Sequence, residues 1–209
     1  MPPPPTTLDD ASFASVLVAA RAGDQWAAEV LFVDLQPRLL RFLRSAEPRA
    51  ADDLAGDVWL GIAQGLASFE GDLAGFRSWV FTIARRRLAD HRRTAGRRAT
   101  DPVDPHEHFR LQPDPTTIDG ARADTATAVI GRLSAQEAVD LISASLPPDQ
   151  AEVLLLRVVA DLDVAHVAEV LDRTPNWVRV TQHRALRRLA ERISGNVDDS
   201  VMPDPPQAI

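Results

Sequence analysis

The sequence predicts an all-α protein made of two small helical domains joined by a flexible acidic linker. Three observations carry this reading. Apolar residues recur at helical spacing through 10–96 and again through 134–194. The stretch between them, 97–133, is acidic and broken by proline, as linkers are. No run alternates apolar and polar residues as a half-buried strand would. The two ends, 1–9 and 195–209, are expected to be disordered. One opens Met-Pro-Pro-Pro-Pro, and the other holds Asp198, Asp199, Asp204 and three prolines.

Taken in order, Gly23-Asp24 separates an opening helix from a longer one, and Pro37 is expected to start or kink the next. Pro48 opens a helix running to about Ala67. Residues 68–75 carry two glycines among polar side chains and are expected to form a loop. A long helix then runs from Phe76 to about Ala95. Within the linker, Asp101-Pro102-Val103-Asp104-Pro105 and Gln112-Pro113-Asp114-Pro115 exclude regular structure, with a short helical stretch expected near 121–130. Periodicity resumes at Ser134, runs to Leu146-Pro147-Pro148, and continues through Asp149–Val159.

The segment from Val164 to Ile193 says most about function. Asp163 is a fitting N-cap, its carboxylate placed to accept from a free N–H of the first turn. Val164, Val167, Ala168 and Leu171 form an apolar stripe, with the small Ala168 where two helices would cross. Asp172 stands where the turn favours glycine, and Asp tolerates a left-handed backbone better than most residues. Thr174-Pro175 is a hydroxyl cap followed by proline at the first helical position. In the second helix Val178, Gln182, Ala185 and Leu189 share one face. Asn176, Val180, His183, Arg184 and Arg187 point away from it, and Arg179 adds a further cation. This is the layout of a helix-turn-helix, whose second helix enters the DNA major groove. There Asn pairs with adenine, Arg with guanine, and an apolar side chain meets a thymine methyl. Trp177, beside the turn, suits packing as well as DNA contact.

A second constellation lies in the helix from Phe76. Phe76, Val80, Ile83 and the Arg87 stem share one side, while Ser78, Thr82, Arg85, Ala89 and Arg92 share the other. Arg85, Arg86, Arg92 and Arg93 concentrate positive charge that attracts phosphates and releases counterions. Arginine at a helix C-terminus also complements the helix dipole. Trp59, Phe69 and Trp79 could stack on bases, although core packing suits them better. A third feature is the acidic helix 51–60. Asp53 and Asp57 share a face there but lack a third metal ligand, so a partner-facing acidic patch is expected.

Composition narrows the classes. Net charge is −7 over 209 residues, yet all 23 basic residues are Arg and they are clustered. Cysteine is absent, which removes disulfides, thiolate zinc ligands and thiol nucleophiles. No apolar run approaches the roughly 20 residues needed to span a bilayer, and the N-terminus is not a signal peptide. A soluble cytoplasmic protein without membrane insertion is expected. Phosphate-cradling glycine loops, nucleophile elbows and His-Glu-x-x-His are missing, and the five histidines are scattered. The expectation is therefore no enzyme, no cofactor and no metal.

Taken together, these blocks resemble the extracytoplasmic-function group of sigma-70-type transcription initiation factors. Ala51-Asp52-Asp53-Leu54 through Trp59 resembles the family's polymerase-contacting region. Phe76-Arg77-Ser78-Trp79-Val80-Phe81-Thr82-Ile83-Ala84-Arg85 matches its −10-reading helix, and Leu146-Pro147-Pro148-Asp149-Gln150 through Leu189 matches its −35 reader. The resemblance implies roles. Asp52, Asp53, Leu54, Asp57 and Trp59 would face core RNA polymerase. The loop Phe69, Glu70, Gly71, Asp72 would hold a flipped −10 base, beside Ser78, Trp79 and Thr82. Arg85, Arg86, Arg92 and Arg93 would steer promoter DNA. Asn176, Trp177, Arg179, Val180, His183, Arg184 and Arg187 would serve the −35 element. It also implies an inhibitory anti-sigma factor as a partner. Gly56-Asp57 departs from the family's usual Gln-Glu, and Val180-Thr181 from its common Ser-Arg. Two other classes remain: a stand-alone helix-turn-helix regulator that binds an operator without polymerase, and a helical adaptor that binds only protein. Two tethered readers would reach separate promoter boxes, each gaining effective concentration from the other.

Overall fold

A computed structural model describes residues 8–98, 127–128, 130–131 and 133–198. The proline-rich head, residues 99–126 of the expected linker and the tail beyond 198 lie outside the described residues. Among the described residues the regular elements are helices: α1 Asp10–Arg21, α2 Gln25–Ala46, α3 Ala51–Gly65 and α4 Leu73–Arg98, then α5 Ala135–Ser145, α6 Pro148–Val158, α7 Val164–Leu171 and α8 Pro175–Asp198. A 3-10 turn, Leu66–Ser68, follows α3.

Local chemistry sets most of the ends. The Asp9 carboxylate accepts from the Ser12 N–H at 2.8 Å while Ser12 caps in return, and Ser134 with Glu137 repeats this reciprocal box at α5. Gly23, at φ +85°, turns α1 into α2, which Asp24 caps. Pro37 neither starts nor ends a helix; it lies inside α2. The proline removes the N–H that would reach the Val33 carbonyl, and both residues are exposed, so water can serve that carbonyl instead. At Pro48 the chain makes a turn closed by Ala50 N–H to the Glu47 carbonyl, and α3 starts at Ala51. The expected 68–75 loop shrinks to 69–72 because Asp72 draws residues 73–75 into α4. Its carboxylate accepts from Gly75 N–H at 2.8 Å and its carbonyl from Phe76 N–H at 2.9 Å.

The helices α1–α4 pack on one another around Phe13, Leu35, Leu39, Leu43, Phe76 and Phe81, all buried. The helices α5–α8 enclose Ile142, Leu154, Leu156, Leu162 and Leu189. Each bundle closes a core of its own, as two small helical domains require. The bundles are also docked, α4 against α7 and α2 against α5, and the buried apolar side chains run through both. The sequence reading had them reaching apart. The reason they meet is a set of cross-bundle contacts on Arg77, Arg85 and Arg38.

One cap carries a pH signature. Asp163 accepts from His166 N–H at 2.8 Å, and that bond is the chief cause holding its carboxyl below the ordinary 3.8. The His166 ring, 3.0 Å away, adds to it. Because the folded value is depressed, this stabilisation is present above the unfolded value and is lost as pH falls through the folded one. Asp163→Ala should cost about 1 kcal/mol at neutral pH. In urea unfolding the gap to wild type should close on acidification below the ordinary carboxylate value. A gap constant with pH would contradict the assignment.

Candidate nucleic-acid interface

The second bundle holds the most complete site. Asp172 adopts φ 54°, ψ 53° and closes α7, while Arg173 N–H bonds the Ala168 carbonyl at 2.9 Å. The Thr174 hydroxyl accepts from Trp177 N–H at 3.2 Å, and Pro175 begins α8. Each of these features follows the cap, turn and proline start in the sequence. Val178, Ala185 and Leu189 are fully buried, which fixes the rotation of α8 about its axis. That rotation leaves Asn176, Arg179, Val180 and Arg187 exposed and Arg184 half-exposed. Arg187 also reaches Glu191 at 3.4 Å.

Two positions behave otherwise. His183 lies on the outward side by spacing, yet it is half-buried and its Nε2 is enclosed with no hydrogen-bond partner. Thr181 is buried, so a cation at that position would not project into a groove. Trp177 is half-buried against the core, with the Arg173 guanidinium 5.5 Å from its ring centroid, so it has a packing role.

In the first bundle the aromatics form a wall beneath the 69–72 loop. Phe69 stands 5.2 Å from Phe76 and 5.3 Å from Trp79, centroid to centroid, and Phe76 stands 5.8 Å from Trp79. Gly65 is what lets the indole lie down: a Cβ there would fall 2.6 Å from Trp79 Cζ2. Glu70, Gly71 and Asp72 are exposed at the loop tip. Along α4, Ser78 is buried rather than outward-facing, and Thr82 and Arg85 are half-buried. Those three had been expected on the open side, and the docking of α4 on α7 covers that side. Arg86, Arg92 and Arg93 stay exposed. Arg92 bonds Glu47 at 2.8 Å and the Ala46 carbonyl at the end of α2, whereas Arg93 pairs with Asp90.

The acidic helix is split by its own periodicity. Asp52, Asp53 and Asp57 are exposed, and Asp52 meets Arg44 at 3.2 Å. Leu54, expected to face a partner, belongs instead to the core stripe Ala51, Leu54, Ala55, Val58, Ile62. Trp59 is half-buried; its indole N–H donates to Gln36 at 2.6 Å and its ring lies 5.1 Å from Phe32. Phe32 and Leu60 are exposed large apolar side chains on these helices, and sequence reading missed them. Both sit beside a core stripe and so resemble ordinary core residues in a linear scan.

Sequence reading also missed Arg77, whose side chain is 7% exposed. Its Nη2 lies 3.2 Å from Asp34 Oδ2 and its Nη1 lies 3.0 Å from Asp161 Oδ2. Arg38 adds Nη1 to the Val159 carbonyl at 3.2 Å and Nη2 to Asp34 at 3.8 Å. Burial, then the neighbouring Arg77 charge, push Arg38 below the ordinary arginine value; Asp34 and Asp161 oppose that. The signal was present in the spacing: Arg77 shares its face with the buried Phe81, Ala84 and Leu88.

Family profiles match both bundles. Sigma-70 region 2 matches residues 31–98, and Sigma-70 region 4 matches residues 136–189. The chain is 31% identical over 175 residues to the ECF RNA polymerase sigma factor ShbA of Streptomyces griseus, covering 80% of this chain and 87% of that protein. It is 29% identical over 197 residues to the ECF RNA polymerase sigma factor SigD of Mycobacterium tuberculosis, covering 91% and 88%. Among solved structures it is similar in fold to CnrH in complex with the cytosolic domain of CnrY, with a TM-score of 0.56 and 19% identity, covering 88% of this chain and 99% of that one.

Proposed function

The chain belongs to the extracytoplasmic-function group of the sigma-70 family, and on that premise we propose how its two bundles divide the work of starting transcription. The protein binds core RNA polymerase and directs it to promoters through their −10 and −35 elements. Residues 10–96 serve polymerase and the −10 element, residues 134–194 the −35 element, and 97–133 tether them. The observation that carries this reading is the seating of α8: a capped, proline-started helix locked by Val178, Ala185 and Leu189, with Asn176, Arg179, Val180 and Arg187 outward. On the other bundle, exposed Phe32 and Leu60 beside Asp53 and Asp57 offer polymerase an apolar strip edged with carboxylates. Glu70, Gly71 and Asp72, above the Phe69–Trp79 wall, would capture a base from the opened strand. Melting would then be driven by base capture, without hydrolysis by this chain.

The proposed setting is the cytoplasm, and no helix among the described residues is long and apolar enough to cross a membrane. An anti-sigma factor is a proposed inhibitory partner. Pull-down with core polymerase followed by run-off transcription tests the reading, with a heparin-resistant open complex expected only when both proteins are present. Tight operator binding without polymerase would mark a stand-alone regulator instead. Asn176→Ala removes one bidentate base contact of about 1–3 kcal/mol. It should lower promoter-directed transcript at least several-fold while leaving the melting temperature unchanged. Equal transcript from both proteins would remove Asn176 from the −35 contact.

A further inference from the structure

We propose that the free chain keeps itself closed through an ionic latch, the −35 module lying on the −10 helix, and that engagement of polymerase releases it. This rests on the functional reading above. Two arginines of the first bundle end on one short stretch of the second: Arg77 on the Asp161 carboxylate at 3.0 Å, Arg38 on the Val159 carbonyl at 3.2 Å. A third, Arg85, reaches Glu152 on α6 at 3.1 Å. The Glu152 and Asp161 carboxylates thus hold guanidinium groups of the DNA-reading helix, in the manner of phosphate oxygens. Behind them α7 lies along α4, Ser78 is buried, and Thr82 and Arg85 are half-buried. A strand of promoter DNA has no room on that side while the modules are docked.

The same geometry makes the latch releasable. Asp161 is 68% exposed and Arg85 is 42% exposed, so each pair sits at a rim where ion pairs are weak. Asp34 is different: it is buried, and its bond to Arg77 lies wholly within the first bundle. Opening therefore strands no buried charge, because Arg77 keeps Asp34 when it gives up Asp161. A closed form of this kind opens when a partner binds the open form better, and polymerase with its separated promoter boxes meets that condition.

The test compares the full chain with the double variant Asp161→Asn/Glu152→Gln. Asp161 sits at φ 58°, a conformation Asn also tolerates, so the loop keeps its shape and loses only its charge. Small-angle scattering should give wild type a radius of gyration near that of one packed unit, about 17 Å before the contribution of the ends. The variant should be measurably larger. Amides of 78–85 and of α7 should exchange faster in the variant, and in wild type once core polymerase is added. Binding of a randomised single-stranded DNA 20-mer by the free chain should strengthen on the order of tenfold, the effect of losing charged hydrogen bonds from the closed form. Unchanged scattering, exchange and DNA binding in a variant that melts like wild type would overturn the latch. So would undiminished protection of wild type on polymerase. Run-off transcription by wild type separates the outcomes: if it fails, the sigma-factor reading itself fails, whereas a failed latch leaves it intact.

Discussion

Arg77→Met is expected to lower folding stability by about 3–5 kcal/mol, the usual loss when one partner leaves a buried ion pair. Asp34 is 4% exposed and takes two bonds from the Arg77 Nη2, at 3.2 and 3.3 Å. With the guanidinium gone, the nearest cation is Arg38 at 3.8 Å, too far for a good hydrogen bond. Methionine fills much of the space, so the loss reports the stranded carboxylate more than a cavity. The companion variant Asp34→Asn/Arg77→Met removes both charges and should recover a substantial part of the loss. Recovery is expected because the native pair is itself incomplete, with Arg77 Nε buried and unpartnered. Urea unfolding of the two single variants and the double closes the cycle. A loss below about 1 kcal/mol for Arg77→Met would mean that water reaches Asp34 freely, contrary to its burial.

What the sequence made legible follows the range of the forces involved. The helix-turn-helix ends were readable because Asp163, Asp172, Thr174 and Pro175 act on backbone within three residues of themselves. The outward set of α8 was readable because Val178, Ala185 and Leu189 must be inward, and one rotation satisfies all three. Where a neighbour decides the outcome, linear reading went astray. Pro37 is a break signal by itself, yet an exposed carbonyl behind it lets α2 continue. Leu54 stands between acidic residues in sequence, but its spacing to Val58 and Ile62 places it in the core. Ser78 and Thr82 lie on the polar side of α4, and only the arrival of α7 from the other bundle covers them. Arg77 is the instructive case: a cation at a core position demands a buried carboxylate, and the search for one leads to Asp34.

Trp79→Ala should be the second severe change, costing about 3 kcal/mol, at the lower end for a Trp truncation because the ring is only half-buried. The indole fills the space that Gly65 leaves beside α3 and meets Phe69 at 5.3 Å, and Phe69 in turn lies on Phe76. Removing it takes away one wall of the aromatic cluster beneath the 69–72 loop, so Glu70 and Gly71 lose their fixed placement. The −35 module has its own core and shares no aromatic contact with this cluster. The variant should therefore still anchor polymerase at the −35 box while failing to open the strand. Permanganate reactivity of unpaired thymines, measured with core polymerase at a temperature where the variant stays folded, should fall at least tenfold, equivalent to about 1.4 kcal/mol of lost base capture. Protection of the −35 box should persist. Trp79→Phe keeps a ring against Phe69 and should retain most of both properties. Were Trp79→Ala to open promoters like wild type, the aromatic wall would be a packing device alone, and base capture would have to lie elsewhere on the exposed face of α4.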